Sequence, residues 1–273
     1  MTHPVATQAL AKALTPAVYE AGRVIMEIRQ AGVAVARKDD ASPVTKADHA
    51  AEAILVAAVR EATPGVPIIA EEQAAMGGLP AQTGAAFWLI DPLDGTKEFI
   101  NGGSDFTVNV GLVVDRQPVL GLVYAPAQKR LFVGVAGTTA YQRADKGPLL
   151  PLRTRVADAS ALDVVASKSH RDAETDAFLD RLRVRGFKAA GSSLKFCLIA
   201  AGEADVYPRF GPTMEWDTAA GHAVLAAAGG QVLHPDGRPF HYAKPDFRNG
   251  PFIALGDEAL GARLGRGSSF CRD

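Results

Sequence analysis

Two carboxylates three residues apart stand in a short polar motif that follows an apolar run in the first half of the chain. The motif is Asp91-Pro92-Leu93-Asp94-Gly95-Thr96. The apolar residues 85–90 predict a buried strand, and Pro92 predicts that regular strand structure ends there. Gly95 and Thr96 then predict the start of a short helix, whose free N–H groups attract anions. The motif therefore predicts oxygen ligands for a hard cation beside a phosphate-binding turn, with a plain polar turn as the alternative.

Glu71 follows a second short apolar run, residues 67–70, which predicts another strand. Only the loop of residues 73–84 separates it from the next buried strand. Strands that are consecutive along the chain are usually neighbours in a sheet. We therefore expect Glu71 to lie close to Asp91 and Asp94, and the alternative is a solvated rim of the sheet.

Two further aspartates lie at predicted helix starts. Asp217 precedes an Ala-rich helix, so helix capping is the alternative to a chemical role. Trp216 beside it would shield a site. Asp48 falls in the first turns of a predicted helix, where a favourable interaction with the helix dipole is the alternative.

If Asp217 faces the motif, it shares one pocket with Glu71, Asp91 and Asp94. Two unit charges about 5 Å apart repel by roughly 3–4 kcal/mol at an effective dielectric near 20. Protons or cations must therefore neutralise such a cluster. An all-oxygen ligand set without a His or Cys cluster favours Mg²⁺ over Zn²⁺. Mg²⁺ also keeps several waters and binds phosphate, which suits a site beside an anion-binding turn.

The pattern of secondary structure differs between the two halves of the chain. Residues 5–30 and a second helix that stops near 63–65 are amphipathic. Residues 105–143 alternate strands with turns, which is typical of an antiparallel meander. From about residue 164, strands alternate with helices, which indicates a layered α/β domain.

A polar, proline-containing segment near residues 144–151 predicts a domain boundary. We therefore predict an α/β (α+β) fold. Residues 1–150 would form an N-terminal α+β domain with an antiparallel sheet that carries most of the acidic residues. Residues 151–273 would form a C-terminal α/β domain that contributes Asp217.

The bulk properties exclude several classes of protein. A chain of 273 residues with a formal net charge of −1 gives no case for binding a nucleic-acid polymer or a membrane surface. Cys197 and Cys271 are too few for a disulfide framework and suit a reducing cytosol. Residues 1–4 start no signal peptide, and no apolar run is long enough to span a membrane. We predict a cytoplasmic protein and leave peripheral association with the inner membrane open.

Three spaced signatures resemble those of the lithium-sensitive, magnesium-dependent inositol monophosphatase superfamily. They are Glu71-Glu72, the motif at residues 91–96 and Trp216-Asp217-Thr218-Ala219-Ala220-Gly221-His222. Their order and their spread over nearly the whole chain also match. The resemblance implies a layered αβαβα sandwich, which agrees with the element pattern above.

Finer matches resemble one branch, the CysQ-type 3′(2′),5′-bisphosphate nucleotidases. The matching segments are residues 42–48, 95–100, 191–197 and 207–213. Enzymes of this branch remove the 3′-phosphate from adenosine 3′,5′-bisphosphate, a by-product of sulfate activation. The resemblance implies the same small-molecule nucleotide substrate here, with the sulfated analogue as a second one.

The resemblance also implies roles for individual residues. Two or three Mg²⁺ ions would be held by the side chains of Glu71, Asp91, Asp94 and Asp217 and by the carbonyl of Leu93. Asp48 and Thr96, with Glu71, would orient and deprotonate the attacking water. Asp94, Gly95, Thr96 and Asp217 would contact the substrate, and the N–H groups of Gly95 and Thr96 would hold its phosphate. The nucleotide and its second phosphate would contact His170, Ser192, Lys195 and Arg209. A homodimer would fit the family.

Local alternatives remain for the substrate residues. His170 could be an exposed loop residue and Ser192 a helix cap, while Lys195 and Arg209 could be solvated surface charges. His222 lies in an apolar helix and is expected to be structural.

Two other functions remain open. Hydrolysis of inositol 1-phosphate or a sugar phosphate would use the same metal core. A catalytically idle regulatory or binding protein of this fold would keep the shape without needing a group that activates water.

Overall fold

The computed structural model describes residues 4–32, 35–37, 43–80, 83–167 and 172–265. Its helices are α1 (Pro4–Gln30), α2 (Lys46–Ala62), α3 (Glu71–Ala75), α4 (Thr96–Ile100), α5 (Ala173–Leu179), α6 (Leu194–Ala200), α7 (Ala219–Ala227) and α8 (Glu258–Gly265). Its strands are β1 (Val35–Arg37), β2 (Pro43–Thr45), β3 (Ile68–Ala70), β4 (Ala86–Asp94), β5 (Thr107–Val114), β6 (Gln117–Ala125), β7 (Arg130–Val135), β8 (Ala140–Ala144), β9 (Leu150–Pro151), β10 (Leu162–Ser167), β11 (Val184–Ala190), β12 (Val206–Arg209), β13 (Thr213–Met214), β14 (Gln231–Leu233), β15 (Arg248–Asn249) and β16 (Phe252–Leu255). None of these helices is long and apolar enough to cross a lipid bilayer.

The larger sheet contains seven strands in the order β3-β4-β5-β6-β7-β8-β9. Neighbouring strands from β4 to β9 are antiparallel, which confirms the predicted meander. β3 instead runs parallel to β4. The C-terminal ends of these two strands therefore lie together at one edge, and that edge carries the acidic residues.

The smaller sheet contains five strands in the order β11-β10-β12-β16-β14. β10 is parallel to both of its neighbours, whereas β16 is antiparallel to both of its own. α5 connects β10 to β11, and α6 connects β11 to β12. The predicted alternation of strands and helices in the second half is confirmed.

The layer order follows from the alternation of side chains along each strand, since successive residues point to opposite faces. On β4, Trp88 and Ile90 belong to the apolar cluster that contains α1 and α2. Phe87 and Leu89 belong instead to the cluster that contains α6 and α7. The far face of the smaller sheet packs against α5 and α8. The order is therefore helices, sheet, helices, sheet, helices, and the expected αβαβα sandwich is confirmed.

The central helix layer joins the two halves of the chain. Phe196 of α6 stacks on Phe252 of the smaller sheet, with ring centroids 5.6 Å apart. The same apolar cluster contains Phe87 and Phe132 of the larger sheet. The predicted division into domains at residues 144–151 stays a prediction, beside a core that both halves share.

Three glycines let α7 approach the larger sheet closely. Gly111, Gly121 and Gly134 are cross-strand neighbours on β5, β6 and β7. A Cβ atom at Gly121 would overlap the carbonyl oxygen of Ala220, and one at Gly134 would overlap the backbone of Val224. The stripe of glycines therefore sets the depth of α7, and with it the position of the residues just before this helix.

We expect Gly121→Ala to lower the free energy of unfolding by about 1–3 kcal/mol, because overpacking at a rigid backbone contact costs that much. Urea denaturation would measure the loss. Gly250→Ala is the matched control, since an added Cβ there meets nothing within 4 Å, and its change should stay within about 0.5 kcal/mol. Equal stabilities of the two variants would contradict close packing at Gly121.

Candidate active site

A bulge in the β4–β5 ladder brings Asp91 and Asp94 to one face of the sheet. Asp91 pairs with Asn109, and Asp94 pairs with Thr107, so two residues of β4 face one residue of β5. Residues three apart on a regular strand would point to opposite faces. The extra residue in β4 returns the two aspartate side chains to the same face, because their partners on β5, Asn109 and Thr107, are two residues apart.

The bulge also corrects the expectation that strand structure ends at Pro92. β4 continues to Asp94. Proline has no N–H to donate to a ladder, and bulges are among the places where sheets tolerate it. The Oδ1 atom of Asp91 accepts the N–H of Leu93 at 3.0 Å, which folds the carboxylate back over the bulge.

Glu71 stands where β3 turns into α3. Ala70 pairs with Ile90 in the parallel ladder, so the next residues along the chain, Glu71 and Asp91, lie side by side where β3 ends. The predicted proximity is confirmed, since Glu71 lies beside Asp91 at the end of this ladder and lines one pocket with Asp94. Buried Glu52 anchors this turn by accepting the N–H groups of residues 72 and 73 at 2.7 and 3.1 Å.

Asp217 reaches the same region from the second half of the chain. Its Oδ2 atom accepts the N–H of Met214 at 2.7 Å. The N-cap residue of α7 is Thr218, and no side-chain capping bond forms there. The alternative of helix capping by Asp217 is therefore wrong. The carboxylate lines the same pocket as Glu71 and Asp94.

The pKa values of the three aspartates show that they share an unfavourable electrostatic environment. Burial raises the pKa of Asp91 well above its ordinary value, and the charges of Glu71, Asp94, Asp217 and Asp48 raise it further. Burial and then Asp94 raise the pKa of Asp217. Burial also raises the pKa of Asp94, although Lys195 and the N–H of Ser193 counteract that rise.

The donor chemistry of the cluster fits a hard cation. Its ligand atoms are carboxylate and carbonyl oxygens, and the electrostatic strain would be relieved by added positive charge. Asn109, opposite Asp91, also has a buried Nδ2 atom without a hydrogen-bond partner. A ligand or its water could satisfy such a donor.

The carboxylates of the cluster do not converge on one point in the described part of the chain. Among the described residues, no three acidic, histidine or cysteine side chains are arranged to hold one ion. The carboxylates of the three aspartates instead accept hydrogen bonds from nearby backbone N–H groups. Asp91, Asp94 and Asp217 each accept such a bond.

Thr96 links Asp48 to the bulge. Its hydroxyl lies 3.1 Å from the carbonyl oxygen of Leu93 and 3.5 Å from Oδ1 of Asp48. A hydroxyl has one hydrogen to donate, so it can satisfy only one of these acceptors at a time. Asp48 stands in the first turn of α2 and is buried.

Gly95 connects the bulge to α4, which begins at Thr96 as predicted. Its φ of 91° lies in the left-handed region that favours glycine. A side chain there would also press against the backbone of Asp105 and Phe106. A backbone hydrogen bond from Gly95 reaches the Asp94 carboxylate and lowers its pKa, against the larger effect of burial.

Lys195 and Arg209 bring positive charge to the opposite wall. Lys195 is only 4% exposed, so the alternative of a solvated helix residue is wrong. Its Nζ atom donates to the carbonyl of Ser192 at 2.5 Å and lies 5.0 Å from the centroid of the Tyr207 ring. Burial lowers the pKa of Lys195 to about 8, against the opposing effect of Asp94.

Arg209 lies at the end of β12. It donates to the carbonyl oxygens of Gly211 and Pro212 at 3.2 and 3.1 Å. Its charge opposes the rise in the pKa values of Asp94 and Asp217. It is half-buried and lines the pocket, in contrast to the alternative of a surface loop charge.

Ser192 occupies the turn before α6 with a φ of 51°, which is unusual for a residue other than glycine. Its hydroxyl accepts the N–H of Leu194 at 3.4 Å. This long contact gives only weak support to the alternative that Ser192 caps the helix. His170 lies outside the described residues.

The acidic and cationic walls enclose one pocket of about 360 Å³. Ser167, Tyr207 and Thr218 also line it, and sequence reasoning missed them. Ser193 was missed as well, although it directly contacts Asp94. The doubled serine at residues 192 and 193 was the available signal.

His222 has the structural role that was expected. Its Nδ1 atom lies 3.1 Å from the hydroxyl of Tyr242, and the side chain is buried. Burial lowers its pKa to about 3, so the ring is neutral at physiological pH.

Comparison with known proteins agrees with this arrangement. The profile of the inositol monophosphatase family matches residues 6–262. The 3′(2′),5′-bisphosphate nucleotidase CysQ of Escherichia coli strain K12 is 43% identical over 224 residues, which make up 81% of this chain and 89% of that protein.

Two solved structures carry the same fold. CysQ from Bacteroides thetaiotaomicron is 38% identical and aligns with a TM-score of 0.74, over 91% of this chain and 97% of that one. An inositol monophosphatase from Anabaena (Nostoc) sp. PCC 7120 is 27% identical and aligns with a TM-score of 0.74, over 95% of this chain and 94% of that one. The chain therefore belongs to the inositol monophosphatase family.

Proposed function

We propose that this chain is a Mg²⁺-dependent 3′(2′),5′-bisphosphate nucleotidase that converts adenosine 3′,5′-bisphosphate into AMP and phosphate. The observation that carries the proposal is one pocket with an acidic wall at Asp94 and Asp217 and a cationic wall at Lys195 and Arg209. Such a pocket suits a substrate with two phosphates, one to be cleaved beside metal and one to be held. The identity to CysQ proteins over most of the chain supports the same assignment.

The acidic wall would hold the metal. The side chains of Glu71, Asp91, Asp94 and Asp217 and the carbonyl of Leu93 are the proposed ligands. When bound, Mg²⁺ supplies a Lewis acid that acidifies water and stabilises a leaving oxygen. The use of Mg²⁺, and two or three ions of it, remains part of the proposal.

Thr96 and Asp48 would handle the proton of the attacking water, together with Glu71. A threonine hydroxyl is a poor base by itself, but it can relay a proton to an ionised carboxylate. The hydroxyl now shares its contacts between Asp48 and Leu93. If the Leu93 carbonyl binds metal, the Thr96 hydroxyl can donate its hydrogen to Asp48 instead. The N–H groups of Gly95 and Thr96 are the proposed phosphate donors.

The cationic wall would select the nucleotide. Arg209 offers a planar fork of donors to a phosphate, whereas Lys195 offers a point charge. Ser192 and His170 complete the proposed substrate contacts. An inositol monophosphate has no second phosphate for these cations, which favours the nucleotide over that alternative. The paired Thr96 and Asp48 argue against an idle binding protein, which needs no such relay.

Three properties stay predictions within this proposal. A cytoplasmic location is inferred from the low cysteine content. A homodimer and inhibition by lithium are inferred from the family.

Parallel assays of phosphate release should show preference for adenosine 3′,5′-bisphosphate over inositol 1-phosphate and fructose 1,6-bisphosphate. We expect kcat/KM for the nucleotide to exceed that for inositol 1-phosphate by about 10- to 100-fold, because inositol 1-phosphate lacks the second phosphate and hydrogen bonds to a charged group contribute about 1.5–3 kcal/mol. A preference for either of the other two compounds would overturn the nucleotidase assignment.

Asp94→Asn should lower turnover by at least about a hundredfold, because it removes a ligand charge while keeping the side-chain shape. The amide oxygen can still accept the N–H of Ser193, so the variant should fold. Steady-state kinetics with circular dichroism would test both points. Asp236→Asn, at an exposed carboxylate paired with Arg238, is the control and should retain full activity. Near-normal turnover of Asp94→Asn would refute its role.

Asp91→Asn should stabilise the metal-free protein, and more so as pH rises. The pKa of Asp91 is raised in the folded state, so its carboxyl binds protons more tightly there than in the unfolded chain. That contribution to stability is complete below the unfolded pKa, about 3.9. It is lost as pH rises through the folded pKa. The amide cannot ionise and avoids this loss.

Urea denaturation with a chelator, from about pH 4 to pH 7, would measure the difference between Asp91→Asn and the wild type. The difference should increase with pH. Saturating Mg²⁺ should reverse the order by stabilising the wild type more. A difference that does not vary with pH would show that Asp91 carries no electrostatic strain.

A further inference from the structure

Ser193 occupies the N-cap position of α6 but does not cap the helix. A serine at that position normally accepts an N–H from the first turn. The hydroxyl of Ser193 instead points away from its own helix to β5 of the larger sheet. This unusual direction calls for another physical explanation.

Two buried residues of β5 hold the Ser193 hydroxyl. It donates to Oδ1 of Asn109 at 2.5 Å. Since its hydrogen is thus used, Thr107 donates to its oxygen, and those two oxygens are 2.9 Å apart. Thr107 and Asn109 are fully buried, and Ser193 is 1% exposed. Buried hydrogen bonds of this kind hold one geometry, because a partly broken network leaves unsatisfied polar atoms.

The two β5 residues are the ladder partners of the proposed metal ligands. Thr107 pairs with Asp94, and Asn109 pairs with Asp91. On the other side of the network, the backbone N–H of Ser193 donates to Oδ2 of Asp94 at 2.6 Å. Ser193 therefore reaches Asp94 by two routes. Its N–H bonds to the Asp94 carboxylate, and its hydroxyl bonds to Thr107, the ladder partner of Asp94.

The turn before α6 is held on both sides of Ser193. Ser192 has a left-handed φ of 51°, and its carbonyl accepts Nζ of Lys195 at 2.5 Å. The N–H of Gly191 approaches the Asp105 carboxylate at 3.3 Å. A left-handed residue other than glycine is strained and persists only where its surroundings enforce it. The surrounding contacts fix the direction of the Ser193 N–H.

We propose that Ser193 is a positioning residue for Asp94, held in place by Thr107 and Asn109. Its N–H fixes the orientation of the Asp94 carboxylate, and its side chain fixes α6 to the strand beneath the acidic cluster. The same turn carries Ser192 and Lys195, so the network connects metal binding to the cationic wall. The inference rests on the proposed function through the role of Asp94 as a metal ligand.

The variant Thr107→Val tests this inference. Valine matches threonine in shape and suits a strand, so the change removes one hydroxyl from the network and little else. We expect the Mg²⁺ concentration that gives half of the maximal rise in Tm to increase about tenfold. Substitution of a residue that orients a metal ligand typically lowers metal affinity by about 10–100-fold. Thermal unfolding of the full chain in a MgCl₂ titration, without substrate, would measure it.

Two further variants sharpen the comparison. Thr107→Ser keeps the hydroxyl and should restore the wild-type Mg²⁺ response. Thr63→Val removes a hydroxyl bonded to Trp88 at 2.9 Å, away from the acidic cluster, and should leave that response unchanged. An unchanged Mg²⁺ response in Thr107→Val would overturn the proposal and reduce Ser193 to a structural anchor.

If Thr107→Val does not fold, Ser193→Ala removes the same hydroxyl contacts from the helix side. An unchanged Mg²⁺ response in that variant would likewise overturn the proposal. Failure of the proposed function has a different signature. A wild-type protein that responds to Mg²⁺ without hydrolysing adenosine 3′,5′-bisphosphate would refute the nucleotidase assignment alone.

Discussion

The burial of carboxylates that repel one another at the edge of the larger sheet is the constraint on which the site depends. Asp91, Asp94 and Asp217 all have raised pKa values, and burial is the largest cause in each case. No fold gains stability from such a cluster alone. The surrounding structure offsets part of the cost with backbone N–H groups and with Lys195, and a bound cation would offset the rest.

Both halves of the chain are needed to assemble this cluster. The β4–β5 bulge puts Asp91 and Asp94 on one face, and the parallel partner β3 delivers Glu71 to the same edge. Asp217 arrives only because α7 packs deeply on the glycine stripe. A glycine with no apparent chemistry, such as Gly121, thus contributes to the site through helix depth.

The cationic wall shows how one turn can serve two purposes. Lys195 is buried against Tyr207 and donates to the carbonyl of Ser192, whose φ is left-handed, while its charge opposes the rise in the pKa of Asp94. Ser193, in the same turn, reaches Asp94 through its N–H. Metal orientation and substrate selection therefore share one structural element in the proposed enzyme, so a change in either is expected to affect the other.

Residue type and spacing predicted the two N-terminal helices, the meander, the alternation of strands and helices in the second half and the grouping of Glu71 with the Asp pair, because apolar periodicity and strand order are local signals. The order of the layers was implied only by the family resemblance. The continuation of β4 through Pro92 could not be predicted, because a bulge depends on the partner strand. The same limit hid Ser193: the sequence suggested a helix cap only at Ser192, and the Ser193 hydroxyl bonds to Asn109, 84 residues away. Only the tertiary structure decided such contacts, since they arise when the turn before α6 meets β5 and buried polar atoms must find partners across the chain.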